Sequence, residues 1–522
     1  MRIHRFHGGL KLEGRRKAAL AHPIRGCALP PRLTIPLIRR DKIAGPVVAL
    51  GERVLRGQCI GEVPGFAHVH ATTSGIVCAI EPHDVANASV VRAPCVMIDA
   101  DGDDNWSRLP TIDNWHETTR EFLLARIHDA GIAGLGGAAF PAGIKLTVPV
   151  GTLIVNGAEC EPGISCDHAL LIERAYEVVQ GAAVLARIVD AERTIIATED
   201  SMTRAFEALQ NALSEHPFDG AVLAQVPTRY PQGGERQLIE TLTGAEVPAG
   251  GLPQEVGVLC HNVGTAAAAW RAAAHGEAQT SRIVSVTGAG VAHPGNYEVR
   301  FGTPIAWLIE QAGGYTPQAA RLLVGGPLMG LALSHDEVPI DATCNAIQVL
   351  DGIETKPPAP EVPCIRCGEC ARVCPAQLLP QQLFGYLTRE DWPRVQEHAL
   401  DACIECGCCA LVCPSQIPLV AWYRWGKSEL REQARQHVEA DAARERYEAR
   451  NARLQRERSM RDTRRATNLS AIESAPTSTD EESAAPSISK SEVLAAIARS
   501  RAKREARLRA ERDERDDDGA AS

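Results

Sequence analysis

The sequence predicts a multidomain chain of α/β and β parts, followed by a small cysteine-rich helical module and a charged tail. Three observations carry that class. Residues 31–100 are short Val/Ile runs broken by Gly, Pro and Asp, the pattern of β-strands. Residues 120–275 alternate strand-like and helix-like segments, which argues for a layered, mostly parallel sheet. Beyond residue 354 cysteines crowd together, then give way to Arg, Glu and Ala. At roughly 100–200 residues per domain, a 522-residue chain makes about three to five domains.

The first domain is placed at residues 1–110. Its "PVVALGERVLRGQCIGEV" and "HATTSGIVCAIE" resemble the barrel-sandwich fold of biotinyl and lipoyl carriers. Those carriers set a modified lysine at an exposed turn. Residues 61–75 hold no lysine, so the fold is expected without the swinging arm. In the second domain, 120–275, "TLIVNGAE", "RTIIAT" and "GAVLAQVP" read as strands. Segments 167–188, 201–214, 234–242 and 264–274 read as helices. Residues 280–345, with "RIVSVTGAGV" and "GNYEVRFGTPIAWLIEQAGG", suggest strands around one short helix and resemble a β-grasp ligand-binding module. The proline-rich "ETKPPAPEVP", 354–363, opens the cysteine domain, 354–425. The tail, 430–522, reads as exposed helix, a compositionally disordered spacer at 474–489, and a last charged helix at about 490–512 with an acidic tip.

The net charge of −10 disfavours a nucleic-acid partner. The start lacks an apolar signal core, and no run of about 18 apolar residues occurs. A cytosolic chain is therefore expected, with docking onto a membrane partner left open.

"CIRCGECARVCP", 364–375, is nearly repeated as "CIECGCCALVCP" from Cys403. Each copy gives C-x2-C-x2-C-x3-C-P. This is the bacterial ferredoxin spacing, in which the fourth cysteine ligates the other cluster. Cys364, Cys367, Cys370 and Cys413 are assigned to one 4Fe–4S cluster, and Cys403, Cys406, Cys409 and Cys374 to the second. Zinc prefers separated C-x2-C pairs, and these triples are too crowded for it. Cys408 breaks the spacing and is read as a packed small residue. The remaining cysteines, Cys160, Cys166 and Cys260 among them, are scattered and are read as core.

"GIAGLGGAAFPAGIKL", 131–146, gathers glycines before Lys145. Backbone N–H groups in such a loop hold phosphate, and a lysine neutralises it. "IVNGAECEPG" adds Asn156, Glu159 and Glu161 just past a strand, a pair of carboxylates suited to ribose hydroxyls or a ring N–H. Alone, both segments equally suit turns and strand ends.

These segments resemble the flavin-binding, NADH-oxidising subunit of respiratory complex I. With "YPQGGERQLI", "HNVGTA", "VTGAGV" and the double cysteine run, residues 1–425 resemble the C subunit of the Rnf/Rsx ion-translocating electron-transport complex. The resemblance implies a non-covalent FMN with NADH stacked on it. It places Gly134, Gly136, Gly137 and Lys145 at the FMN phosphate. Asn156, Glu159, Tyr230, Gly234, Glu235, Asn262 and Thr265 would line the rest, and Phe140 is a candidate stacking surface. Ala139, Ala142, Gly163 and His261 stand where the family commonly has glycine, threonine, tyrosine and glutamine.

The implied function is electron transfer from NADH through FMN and two 4Fe–4S clusters to partner subunits, which include a ferredoxin-like B subunit and membrane-embedded subunits. The implied place is the cytoplasmic face of the inner membrane. No acid–base pair is expected, and Asp167–His168 is read as a helix cap. A cobalamin reductase of similar layout and a flavin-free electron conduit are the competing readings.

Overall fold

The computed structural model describes all residues except 1, 13–17, 40–41, 64–66, 88–90, 113, 356–359, 475–488 and 519–522. The expected spacer, 474–489, and the middle of the proline-rich linker thus fall largely outside the described residues. The chain divides into two units, Met1–Leu430 and Arg431–Ser522.

In the first unit, β1 (Arg25–Gly26) leaves the N-terminal domain and joins a sheet far along the chain, described below. The domain's own four-stranded antiparallel sheet has the order β2 (Arg32–Pro36), β5 (Arg92–Ala100), β4 (Gly75–Asp84), β3 (Arg53–Val54). Leu33, Ile35, Val77, Val96 and Ile98 alternate inward to build its core.

The second domain begins with α1 (Arg120–Asp129) and the single turn α2 (Ala142–Lys145). Strands β6 (Thr152–Gly157), β7 (Arg193–Glu199), β8 (Ala221–Val226) and β9 (Val258–Asn262) form a wholly parallel sheet in the order β8-β7-β6-β9. Strands β6, β7 and β9 are mostly buried on both faces, and the edge strand β8 is half-buried. Leu153, Val155 and Leu259 meet α1, α4 (Ala175–Val189), α5 (Thr203–Glu215) and α7 (Val263–His275) on one side. Ile154, Ile195 and Val258 meet Leu238, Ile239 and Leu242 of α6 (Glu235–Thr243) on the other. Strand β9 was not among the expected strands. The expected helix 167–188 is two helices, α3 (Cys166–Glu173) and α4, broken at Arg174. There the backbone of Arg174 leaves the helical conformation, and its guanidinium reaches Glu298 of the next domain at 2.6 Å.

The third domain's own strands are β10 (Ser281–Thr287), β11 (Gly295–Arg300), β12 (Ala319–Val324), β13 (Leu331–Leu333) and β14 (Ala346–Asp351). With β1 they form a six-stranded sheet ordered β1-β11-β10-β14-β12-β13, with α8 (Ile305–Gln311) packed on it. The sheet therefore reaches past the expected 280–345 at its C-terminal end and borrows β1.

The cysteine module is built of short helices, including α9 (Glu369–Arg372), α10 (Pro380–Leu387) and α11 (Trp392–Glu397), around Leu383, Leu387, Leu400 and Tyr423. Tyr423 lies on a helix spanning Leu419–Glu473, which starts inside the module rather than after it. The second unit holds most of that helix and another, Lys490–Asp518, six residues longer than expected. Its described side chains are mostly exposed.

Candidate functional site

The glycine segment folds into a closed loop. Gly134 N–H donates to the Phe140 carbonyl at 2.8 Å, and Ala133 bridges Pro141. From behind, Thr265 Oγ1 accepts Leu135 N–H at 2.9 Å, and the Gln279 side chain exchanges two hydrogen bonds with Ala133. The loop borders a cavity of about 470 Å³ at the carboxyl ends of β6 and β9, where parallel sheets place their ligands.

Ten of the expected flavin-site residues line this cavity: Gly134, Gly136, Phe140, Lys145, Asn156, Glu159, Tyr230, Gly234, Glu235 and Asn262. Gly137 and Thr265 do not. Gly137 faces open space at φ +100°, and Thr265 is buried behind the loop as its anchor. The wall also takes Cys160, Glu161 and His261, Met329 and Asn345 from the third domain, and Ile404 from the cysteine module. Cys160 is therefore not simply core. Nothing local to residues 329, 345 or 404 marks them, because tertiary folding alone brings them here.

The polar groups have defined partners. Lys145 Nζ pairs with Glu235 at 2.5 Å and donates to the Cys260 carbonyl at 3.2 Å. Glu159 turns its carboxylate to the N-terminus of α3 and accepts Asp167 N–H at 3.1 Å and His168 N–H at 3.2 Å. The α3 cap is thus Glu159 and not Asp167–His168. A buried carboxylate and orphaned helix amides satisfy each other. Glu161 Oε1 accepts Leu328 and Met329 N–H, each at 2.9 Å, and so ties down the third-domain loop beside the cavity. Burial pushes its carboxyl up. The carboxylate pair expected to offer itself to ribose or a ring N–H is therefore largely spent on backbone. Asn262 Nδ2 donates to Asp167 at 2.5 Å, and burial together with Glu159 pushes the Asp167 carboxyl up to about 7.

His261 differs from these. Its side chain is 4% exposed, and its Nε2 has no hydrogen-bond partner. Burial, reinforced by Lys145, lowers its pKa to about 3, so the ring is neutral. A buried orphan nitrogen on a cavity wall, beside a lysine, a glycine loop and the N-terminus of α7, fits a polar, anionic group such as FMN.

The two cysteine runs repeat their backbone residue for residue. Arg366 and Glu405 share φ +57°, Gly368 and Gly407 lie at +80° and +79°, and Gln377 and Gln416 share +53°. One small cavity gathers Cys364, Cys367, Cys370 and Cys413; the other gathers Cys403, Cys406, Cys409 and Cys374. Each set of four thiols, three from one run and one from the other, has the donor chemistry of a 4Fe–4S cluster. Backbone N–H groups of Arg366, Glu405 and Leu378 lie 3.4 Å from the sulfurs of Cys364, Cys403 and Cys374. Cys364 and Cys367 are exposed, whereas Cys374, Cys406 and Cys409 are buried. Cys408 is fully buried beside the second set and lines its cavity.

The second set adjoins the flavin cavity. Tyr230, which lines that cavity, donates through Oη to the Cys406 carbonyl at 2.6 Å. Ile404 borders both cavities.

Residues 127–271 match the Nuo51 FMN-binding domain and residues 4–103 the RnfC barrel sandwich hybrid domain. Residues 283–332 match the SLBB domain and residues 363–417 the 4Fe-4S dicluster domain. The C subunit of the ion-translocating oxidoreductase complex of Pseudomonas aeruginosa is 44% identical over 89% of this chain and 60% of its own length. That of Salmonella arizonae is 41% identical over 88% of this chain and 69% of its own. This chain belongs to the RnfC family, the C subunits of ion-translocating oxidoreductase complexes. It spans 60–61% of the length of the Pseudomonas aeruginosa and Klebsiella pneumoniae family members. Like the family's domains, it is built to carry FMN and 4Fe–4S clusters. A solved NAD+-reducing [NiFe]-hydrogenase superposes at a TM-score of 0.43 and 20% identity, over 57% of this chain and 61% of that one. Among the described residues no helix is long and apolar enough to cross a membrane.

Proposed function

We propose that this chain is the NADH-oxidising subunit of such a complex, peripheral on the cytoplasmic face of the inner membrane. FMN held there would supply the conversion of a two-electron donor, NADH, into single electrons, and clusters held by the two cysteine sets would supply a one-electron route toward a ferredoxin-like B subunit and the membrane-embedded subunits, whose ion transport the flow would drive. The observation that carries this reading is the wall shared by the flavin cavity and the second cysteine set, at Tyr230 and Ile404.

In this reading the glycine loop, with Lys145 and the N-terminus of α7, holds the FMN phosphate. Phe140 offers its face to nicotinamide or adenine. Asn262 and Asp167 fix one another and shape the wall between β9 and α3. Cys374, Cys403, Cys406 and Cys409 would hold the cluster nearer the flavin cavity, suited to take electrons first. Cys364, Cys367, Cys370 and Cys413, of which Cys364 and Cys367 are exposed, would hold the cluster suited to pass them to a partner.

Replacing Lys145 with Glu sets a second carboxylate beside Glu235. The expected outcome is at least a hundredfold loss of FMN affinity with cluster absorbance intact. Full flavin content in Lys145→Glu contradicts the site assignment.

A further inference from the structure

Residues 4–10, "HRFHGGL", line neither the flavin cavity nor the cavity of the second cysteine set. They nevertheless bond to both domains. On the flavin-domain side, His4 N–H donates to the Thr241 carbonyl at 2.8 Å, and Leu10 and Tyr230 exchange backbone hydrogen bonds at 2.7 Å in each direction. On the cysteine-module side, Gly9 N–H donates to the Val373 carbonyl at 2.9 Å, and His7 Nδ1–H donates to the carbonyl of the ligand Cys374 at 3.0 Å.

The contact leaves no room for side chains. Gly8 and Gly9 sit at φ +67° and +76°. A β-carbon at Gly8 would lie 2.6 Å from the Val373 carbonyl oxygen and 2.7 Å from that of Cys374. At Gly9 it would lie 2.6 Å from the Tyr230 carbonyl oxygen. Because the atoms met are backbone and not the end of a flexible side chain, a side chain at either glycine must push the two domains' backbones apart. The segment is also anchored: Phe6 is buried, with the Arg229 guanidinium over its ring at 5.4 Å. Leu10 and Leu12 join Tyr230, Val373, Cys406 and Cys408 in one apolar cluster.

We infer that residues 4–10 are a positioning strap that holds the second cluster site against the flavin cavity and so sets the rate at which electrons leave the flavin. The inference rests on the proposed flavin-to-cluster route. The strap acts through Tyr230 and Cys374, one on the cavity wall and the other a cluster ligand. NADH and one proton reduce the flavin; two one-electron passages into oxidised clusters return it to the oxidised form and release two protons. Only those passages cross the seam that the strap closes, so hydride arrival is independent of it.

The test uses the full-length, cofactor-loaded protein with Gly8→Val and Gly9→Val. Rapid mixing with NADH follows flavin bleaching, and freeze-quench EPR follows cluster reduction. The expected result is flavin reduction at the wild-type rate, cluster reduction at least tenfold slower, and unchanged iron and flavin content. Cluster reduction at the wild-type rate, or equal slowing of both steps, overturns the inference. Should the valine variants lose cofactor, His7→Phe, which removes the bond to Cys374 and leaves both glycines in place, carries the same comparison. A two- to threefold slowing of cluster reduction alone is expected, and none overturns the strap. If NADH leaves wild-type flavin oxidised, it is the proposed donor that fails. Photoreduced flavin then feeds the same comparison and tests the strap separately.

Discussion

Ala139 sits in the glycine loop at φ +46° and is 3% exposed. The left-handed region costs an L-residue roughly 1–2 kcal/mol, and glycine escapes that cost. Ala139→Gly is therefore expected to stabilise the protein by about 1 kcal/mol, read as a raised melting temperature with FMN retained. A lower melting temperature contradicts the strain. Asp167 gives a second residue-scale expectation. Burial and Glu159 raise its carboxyl from 3.8 to about 7, so the folded state holds a proton that the unfolded state has released. Stability from this group is present below about pH 4 and is lost as pH rises through about 7. Asp167→Asn should flatten that loss, seen by comparing melting temperatures of the two proteins at pH 5 and pH 8. An unchanged pH dependence refutes it. At this scale the sequence was informative where a motif concentrates function in a few positions. Spacing alone paired Cys374 and Cys413 with the opposite runs, and the structure gathers them so. It was misleading at Glu159 and Glu161, because which donors a buried carboxylate finds depends on loops distant in sequence.

At the scale of elements, α4 and α7 cross so closely that a methyl at Gly181 would lie 1.8 Å from the Ala266 carbonyl oxygen. Helix α7 carries Asn262 at its N-cap and Thr265 behind the glycine loop, so this crossing sets the far wall of the flavin cavity. Gly181→Ala is expected to cost about 3 kcal/mol and to weaken FMN binding with it. Thermal melting and flavin titration would check both, and a variant as stable as wild type contradicts the close packing. Three of the four parallel strands were legible as apolar runs. The fourth, β9, was obscured because "VLCHN" ends in polar residues and runs directly into α7. The break at Arg174 was illegible for another reason: the partner its side chain meets there, Glu298, lies in a different domain.

Across the whole molecule, four domains in the first unit converge on one seam. The flavin domain supplies the cavity, the third domain closes its rim with Met329 and Asn345, and the cysteine module adds Ile404. The N-terminal segment ties the seam at Tyr230 and Cys374. The order of domains could be read from composition and motifs, but their convergence could not, since no local pattern encodes which loops meet. The charged, helical character of the second unit was legible from composition alone, because its helices carry few apolar residues to bury. The central claim is that one chain joins a flavin site to two clusters through that seam. The most direct test is anaerobic purification of the full chain, quantification of iron, sulfide and flavin, and titration with NADH. About eight irons and about one FMN per chain, with flavin and then cluster signals reduced by NADH, are expected. About eight irons without flavin, and clusters that NADH leaves oxidised, would contradict the claim.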